Sequence, residues 1–250
     1  MSRSRSHSRG RFPRLIAAAL LALLPAASRS ADFPTPAPDQ PAVQSDTVAP
    51  IPPTPTLPPE ARQAAEDGIN AMAKNKFDLA ETSFQKLLKL SPDNLSAIVN
   101  LGLVEFRLGH MSDAMSYFQR AIALKSDAGL PWMMLGVIDQ SKKDSPAATA
   151  ELAMAVYLEP KNPQAHNYFG ATLAARGWDS AAEDEFQRAV ELNPNFGDAQ
   201  FNLAVCYLTR VPPAYELARR HYQKALDLGE PPDPLITAKL KSAPPPVIPP

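Results

Sequence analysis

Residues 95–128 read LSAIVNLGLVEFRLGHMSDAMSYFQRAIALKSDA, and the spacing within this stretch decides the fold. Ile98, Leu101, Val104 and Leu108 recur at three- and four-residue steps, and Ala114, Tyr117, Ala121 and Leu124 then do the same. Each series marks one apolar face of a helix. Gly109 stands between them, a residue that tolerates the left-handed conformation ending a helix. The stretch therefore predicts two helices joined by a tight turn.

Shifting the sequence by 34 residues brings it back onto itself. In a frame that starts at Ala61, the eighth place holds Gly68, Gly102, Gly136, Gly170 and Ala204. The twentieth holds Ala80, Ala114, Ala148 and Ala182, and the twenty-fourth Phe84, Phe118, Leu152 and Phe186. The twenty-seventh holds Leu87, Ala121, Ala155 and Ala189, and the thirty-second Pro92, Ser126, Pro160 and Pro194. Asn75 and Gly177 take the place of Gly109 in other copies, with Lys143 there in the third. Asp78, Ser112 and Ser180 follow as expected N-caps. The fifth copy slips by two residues at Val211-Pro212-Pro213. That position is expected to be a turn, where added length costs little. Small residues at places eight and twenty let two helix backbones approach, and the residue at place twenty-four fills the space beside them. One such hairpin cannot bury its apolar face alone, whereas a stack of three or more can.

Period, Leu-Gly, Ala, Phe, Ala and Pro at these spacings resemble the tetratricopeptide repeat. The resemblance covers residues 61–232, in copies 61–94, 95–128, 129–162, 163–196 and 197–232. Trp132 stands where the family favours tryptophan, whereas Ala64, Ile98, His166 and Gln200 depart from it. Asp67 departs from the usual leucine of the first copy. The resemblance implies an all-α fold, a right-handed superhelical solenoid of antiparallel helix pairs. Its first helices would line a concave face that binds a peptide or protein partner. After the fifth copy, residues 233–241 are expected to form a capping helix, with Leu235, Ile236 and Leu240 covering the end of the stack.

By the same resemblance, places two, five, nine and twelve of each copy face the groove. Fourteen of these twenty positions are apolar. The candidate partner-binding residues are Ile69, Met72, Val99, Leu103, Phe106, Met133, Val137, Phe201, Val205 and Leu208. The ninth place is apolar in every copy (Ile69, Leu103, Val137, Ala171 and Val205), which reads as a binding strip. Curvature of the stack, the chain's own proline-rich tails or a second copy could instead cover that row. One subclass of the family grips a C-terminal carboxylate with Lys, Asn and Arg. Ala65, Ile69, Leu130 and Met134 occupy most of those places here, so that clamp is not expected.

The ends of the chain have a different composition. Residues 1–31 hold six arginines and no acid, and Leu15–Leu24 is an apolar run followed by small residues. This pattern reads as a secretory signal peptide cleaved after Ser28 or Ser30. The run is too short for a membrane span. Export to a bacterial periplasm or to the medium is therefore expected, with no stable membrane span after cleavage. Residues 32–59 hold ten of the 28 prolines and read as an extended linker, and residues 242–250 as a similar tail. The solenoid is then expected over 60–241. Without residues 1–31, 19 basic residues face 26 acidic ones, which disfavours nucleic acid as a partner.

No catalytic or cofactor motif is present: there is no GxSxG, GxxxxGK[ST], HExxH, CxxC or GxGxxG. His110, His166 and His221 fall in different copies, so no shared metal is expected of them. Cys206, the one cysteine, reads as a small buried hydrophobe. Glu183-Asp184-Glu185 reads as a solvated helix turn, with Asp184 spaced to pair with Arg188. The expectation is a non-catalytic interaction scaffold without cofactor or metal. The alternative is a structural spacer or self-associating module.

Overall fold

The computed structural model describes residues 57–142 and 145–243. The expected signal peptide, nearly all of the expected linker, Lys143 and most of the proline-rich tail lie outside them. Among the described residues there are eleven α-helices and no strands. The first helices of the five pairs are α1 (Pro59–Ala73), α3 (Leu95–Leu108), α5 (Gly129–Ser141), α7 (Pro163–Ala175) and α9 (Gly197–Thr209). The second helices are α2 (Phe77–Leu90), α4 (Met111–Leu124), α6 (Ser145–Leu158), α8 (Asp179–Leu192) and α10 (Tyr215–Asp227). The last helix is α11 (Pro234–Ser242). Each helix packs mainly on its neighbours in the chain, and α5 also touches α7, as α7 touches α9. The result is an all-helical solenoid of stacked antiparallel pairs.

Turn chemistry sets the pairs. Asn75, Gly109 and Gly177 all have positive φ, at 53°, 87° and 75°. Beyond them the N–H groups of Lys76, His110 and Trp178 donate back to the carbonyls of Ala71, Glu105 and Leu173. This six-to-one bond closes the first helix and starts the second within two residues. The N-cap positions are consequently Lys76, His110 and Trp178, none with a side-chain cap. Asp78, Ser112 and Ser180 sit inside the first turn rather than capping it. The turn is two residues tighter than a side-chain cap there would need. Caps do occur at two of the joints between pairs. Asn94 accepts from Ala97 N–H, and Asn162 from Gln164 and Ala165 N–H.

Between the helices of a pair the packing is tight. A Cβ added at Gly68 or Gly102 would lie 2.6 Å from the ring of Phe84 or Phe118. At Gly136 it would lie 2.5 Å from Leu152 Cγ. The fourth place carries a second, polar link. Trp132 Nε1 donates to Ser126 O at 2.9 Å, His166 Nε2 to Pro160 O at 3.1 Å and Gln200 Nε2 to Pro194 O at 2.9 Å. His166 and Gln200 depart from the family's tryptophan in type, yet they make the same bond to the preceding turn.

The ends adjust two sequence boundaries. Leu57 is buried in the first core cluster and α1 starts at Pro59, so the fold reaches into the segment expected as linker. In α11, Asp233 caps the N-terminus, and Ile236 and Leu240 are buried. Leu235 is exposed: positions 236 and 240 share a helix face, and 235 is turned about 100° away from it. The two-residue slip falls in the turn 210–214 between α9 and α10, as expected, and the Val211–Pro212 bond is cis.

Candidate functional site

A second helix is buried along one stripe: Ala114, Phe118 and Ala121 in α4. The first helices α3 and α5 are buried almost all round, whereas α1, at the end of the stack, is buried along one stripe. Ten consecutive residues of α3, Ser96 to Glu105, are inside. So are eight consecutive residues of α5, Met133 to Gln140. Inside the stack the first helices lie against their own partner and the preceding second helix, and α5 and α7 also touch the next first helix. Little of their surface is left for a ligand.

This divides the ten candidate groove residues. Val99, Leu103, Met133, Val137, Val205 and Leu208 are each 5% exposed or less. They are core residues: Val99, Leu103, Met133 and Val137 hold places five and nine inside the stack, while Val205 and Leu208, at places nine and twelve of the last copy, share a cluster with Ile236 and Leu240 of α11. Ile69, Met72, Phe106 and Phe201 are half-buried and keep an open edge. The apolar row expected at the ninth place is therefore not a continuous surface strip. Phe201 leans on Tyr222, with ring centroids 6.2 Å apart. A cleft of about 760 Å³ opens where α8, α9, the 210–214 turn and α11 meet. Its lining includes Asp179, Glu183, Leu208, Arg210 and Lys239.

The outer surface holds a feature that the groove reading missed. Places 22, 26 and 29 point outward on each second helix. In α8 they are Asp184, Arg188 and Glu191; in α6 they are Ala150, Met154 and Tyr157. All three α6 side chains are exposed, Tyr157 to 79%. The signal was legible: SPAATAELAMAVYL contains one charged residue in fourteen.

The titratable groups stay dispersed apart from Glu105, His110 and Asp113, which meet at the α3–α4 turn. His166 Nδ1 meets Glu185 Oε2 at 2.6 Å, while its Nε2 reaches Pro160 O. Burial opposes a charge on this ring, but the bonds to Glu185 and Pro160 outweigh it and hold the pKa above the usual value. His221 Nδ1 lies 2.7 Å from Gln200 Oε1, and burial followed by Arg220 lowers its pKa. The Cys206 thiol is buried, and burial reinforced by Asp179 and Glu183 pushes it up to about 12. That is the opposite of a poised nucleophile. Arg188 pairs with Glu191 at 3.0 Å rather than with Asp184. Glu183 faces Arg210 at 3.5 Å.

Stacked antiparallel helix pairs with small-residue seams and no converging catalytic groups among the described residues define a helical-repeat scaffold. Two tetratricopeptide repeat models match the chain, at residues 66–129 and 185–227. Among solved structures it is similar to PilF of Pseudomonas aeruginosa, with a TM-score of 0.63 and 18% identity over 69% of this chain and 78% of that one. It is also similar to MamA of Desulfovibrio magneticus RS-1, with a TM-score of 0.58 and 15% identity over 69% and 96% of the two chains. A third similar structure is YrrB, described as a TPR protein with an unusual peptide-binding site, at TM-score 0.55 and 24% identity over 73% and 92%. Among curated relatives, the cellulose synthase 1 operon protein C of Komagataeibacter xylinus is 27% identical over 59% of this chain. BBSome complex member bbs-4 of Caenorhabditis elegans is 25% identical over 51%. The chain spans 12% and 28% of the lengths of these two relatives. The repeat models support tetratricopeptide repeats over those residues, a family whose members mediate protein–protein interaction, and the structural neighbours share the fold.

Proposed function

We propose that the chain is a non-catalytic interaction scaffold of the bacterial cell envelope, exported to the periplasm or secreted. It holds an apolar peptide or helix against the half-open side chains of its first helices. The observation that carries this reading is the edge left open at Phe106 and Phe201 on the largely enclosed α3 and α9, together with the half-buried Ile69 and Met72 on the end helix α1. Bulky, half-desolvated apolar and aromatic groups are the usual anchors for a partner. The signal-like residues 1–31 support export, and the peptide-binding site named for YrrB supports the mode of use. The test is a crosslinking pulldown from the periplasmic fraction and medium of the native host. Phe106→Glu and Phe201→Glu are expected to abolish recovery of a specific partner while leaving the helical signal intact. Unchanged recovery removes the groove reading, and retention of the chain in the cytoplasm removes the export reading. Charges at Leu103 or Val137 would not serve, because both are core and would unfold the repeat.

The outer face of α6 favours a second reading, self-association. Three exposed apolar residues at places otherwise largely occupied by polar groups form a helix–helix contact surface without charge. Sedimentation of the purified chain over a range of concentrations decides between a monomer and a dimer.

A further inference from the structure

The turn between α3 and α4 gathers three potential metal ligands: Glu105, His110 and Asp113, whose ligand atoms all lie within 4.8 Å of one another. The repeat itself does not call for them. The same three places hold Ala71, Lys76 and Leu79 in the first copy and Leu173, Trp178 and Ala181 in the fourth. Ala71 and Leu173 are buried there, so an apolar residue satisfies the packing at the place of Glu105. Glu105 instead puts a carboxylate into the interior, 5% exposed, in the last turn of α3. Burial and the negative end of the helix dipole both disfavour an uncompensated anion at that position. In the third copy the corresponding buried Asp139 has Lys142 at 3.5 Å. Among the described residues the only side chain paired with Glu105 is His110, with Nδ1 2.8 Å from Oε2.

The turn fixes two of the ligands in advance. Gly109 is left-handed and His110 N–H donates to Glu105 O at 2.9 Å. Asp113, in the first turn of α4, adds a second carboxylate. A proton on His110 offsets one of these two negative charges; a divalent cation offsets both and takes all three ligands. The negative potential also reaches Tyr117, whose phenol burial pushes up with help from Glu105, Glu81 and Asp113. One nitrogen and two carboxylate oxygens suit zinc, whereas calcium and magnesium prefer oxygen alone. Tetrahedral zinc holds neighbouring ligand atoms about 3.3 Å apart. The His110–Glu105 separation needs to widen by only a fraction of an ångström, and the exposed His110 and Asp113 side chains can move. A fourth position stays open to water.

We infer that Glu105, His110 and Asp113 form a zinc site that staples α3 to α4 in the second repeat. Calorimetric titration of the full chain with Zn²⁺ at pH 7.5 is expected to give one site per chain, with a rise in Tm on binding. Asp113→Asn and His110→Asn should each weaken binding at least about tenfold while retaining the helical circular dichroism. Glu105→Leu, which restores the residue type of the fourth copy, should abolish binding and raise the Tm of the metal-free chain. Absence of a one-to-one site overturns the inference. So does binding that survives these substitutions, because the ion is then held elsewhere.

Discussion

Helices α6 and α8 occupy equivalent places in neighbouring repeats and differ almost entirely on their outer sides. Inward, α6 presents Ala148, Leu152 and Ala155, and α8 presents Ala182, Phe186 and Ala189. All six are buried; Leu152 and Phe186 fill the room left by Gly136 and Gly170 of their own first helices, and Ala189 packs with Phe196 and Ala199 at the start of α9. Outward, α6 shows Ala150, Met154 and Tyr157, while α8 carries six charged residues along its length. The stack constrains one stripe of a second helix and leaves the rest free. Differences in what each repeat contacts are therefore written on the free side, and packing alone does not account for the apolar choice in α6.

The largest test of this contrast acts on the inner stripe. Phe186→Ala and Leu152→Ala should each cost about 2–5 kcal/mol, read as a lowered urea midpoint, because both open a cavity at the seam. If one helix tolerated the change, the inner stripes would not be equivalent. Filling the seam from the other side is the next test. Gly102→Ala or Gly170→Ala should cost about 1–3 kcal/mol, since the added methyl overlaps the Phe118 or Phe186 ring. The outer sides should behave differently. Met154→Lys with Tyr157→Arg should leave stability within about 0.5 kcal/mol. Any self-association seen in sedimentation should disappear in that variant and persist when Arg188 and Glu191 are exchanged on α8.

The smallest effect concerns the link from each first helix to its partner. In the fourth repeat it is the His166–Glu185 pair; in the third, Trp132 occupies the place of His166. The folded pKa of His166 is raised, so its contribution is full below the unfolded value of about 6.5 and is lost as pH rises through the folded value. His221, with a lowered pKa, works in the opposite sense, because unfolding takes up its proton below that same unfolded value. The difference in urea midpoint between wild type and His166→Gln should therefore be larger at pH 6 than at pH 9. A constant difference would mean that His166 acts through packing alone.

Much of this was legible in the linear chain. The 34-residue period, the left-handed turn positions and the small-to-large seam all depend on contacts within one hairpin, which local spacing encodes. The fate of the groove row was not legible, because Leu103, Val137 and Val205 have the same residue types whether they face a partner or a neighbouring helix. The His166 and Gln200 hydrogen bonds were hidden because three chemically unlike side chains perform one task. The Glu105–His110–Asp113 cluster was hidden because its members lie on two helices and meet only through the left-handed turn at Gly109.

The sequence by itself determined that helices pair, where each pair turns and which stripe of each second helix faces inward. These follow from backbone preferences and periodic burial within about thirty-four residues. Only the tertiary structure decided that first helices inside the stack, α3 and α5 above all, are enclosed on nearly every side. That outcome depends on how pairs stack on one another, a relation between repeats that no single repeat specifies. Stacking converted six of ten candidate contact residues into core, and left the open edges at Ile69, Met72, Phe106 and Phe201 and the apolar outer face of α6 as surfaces available to a partner.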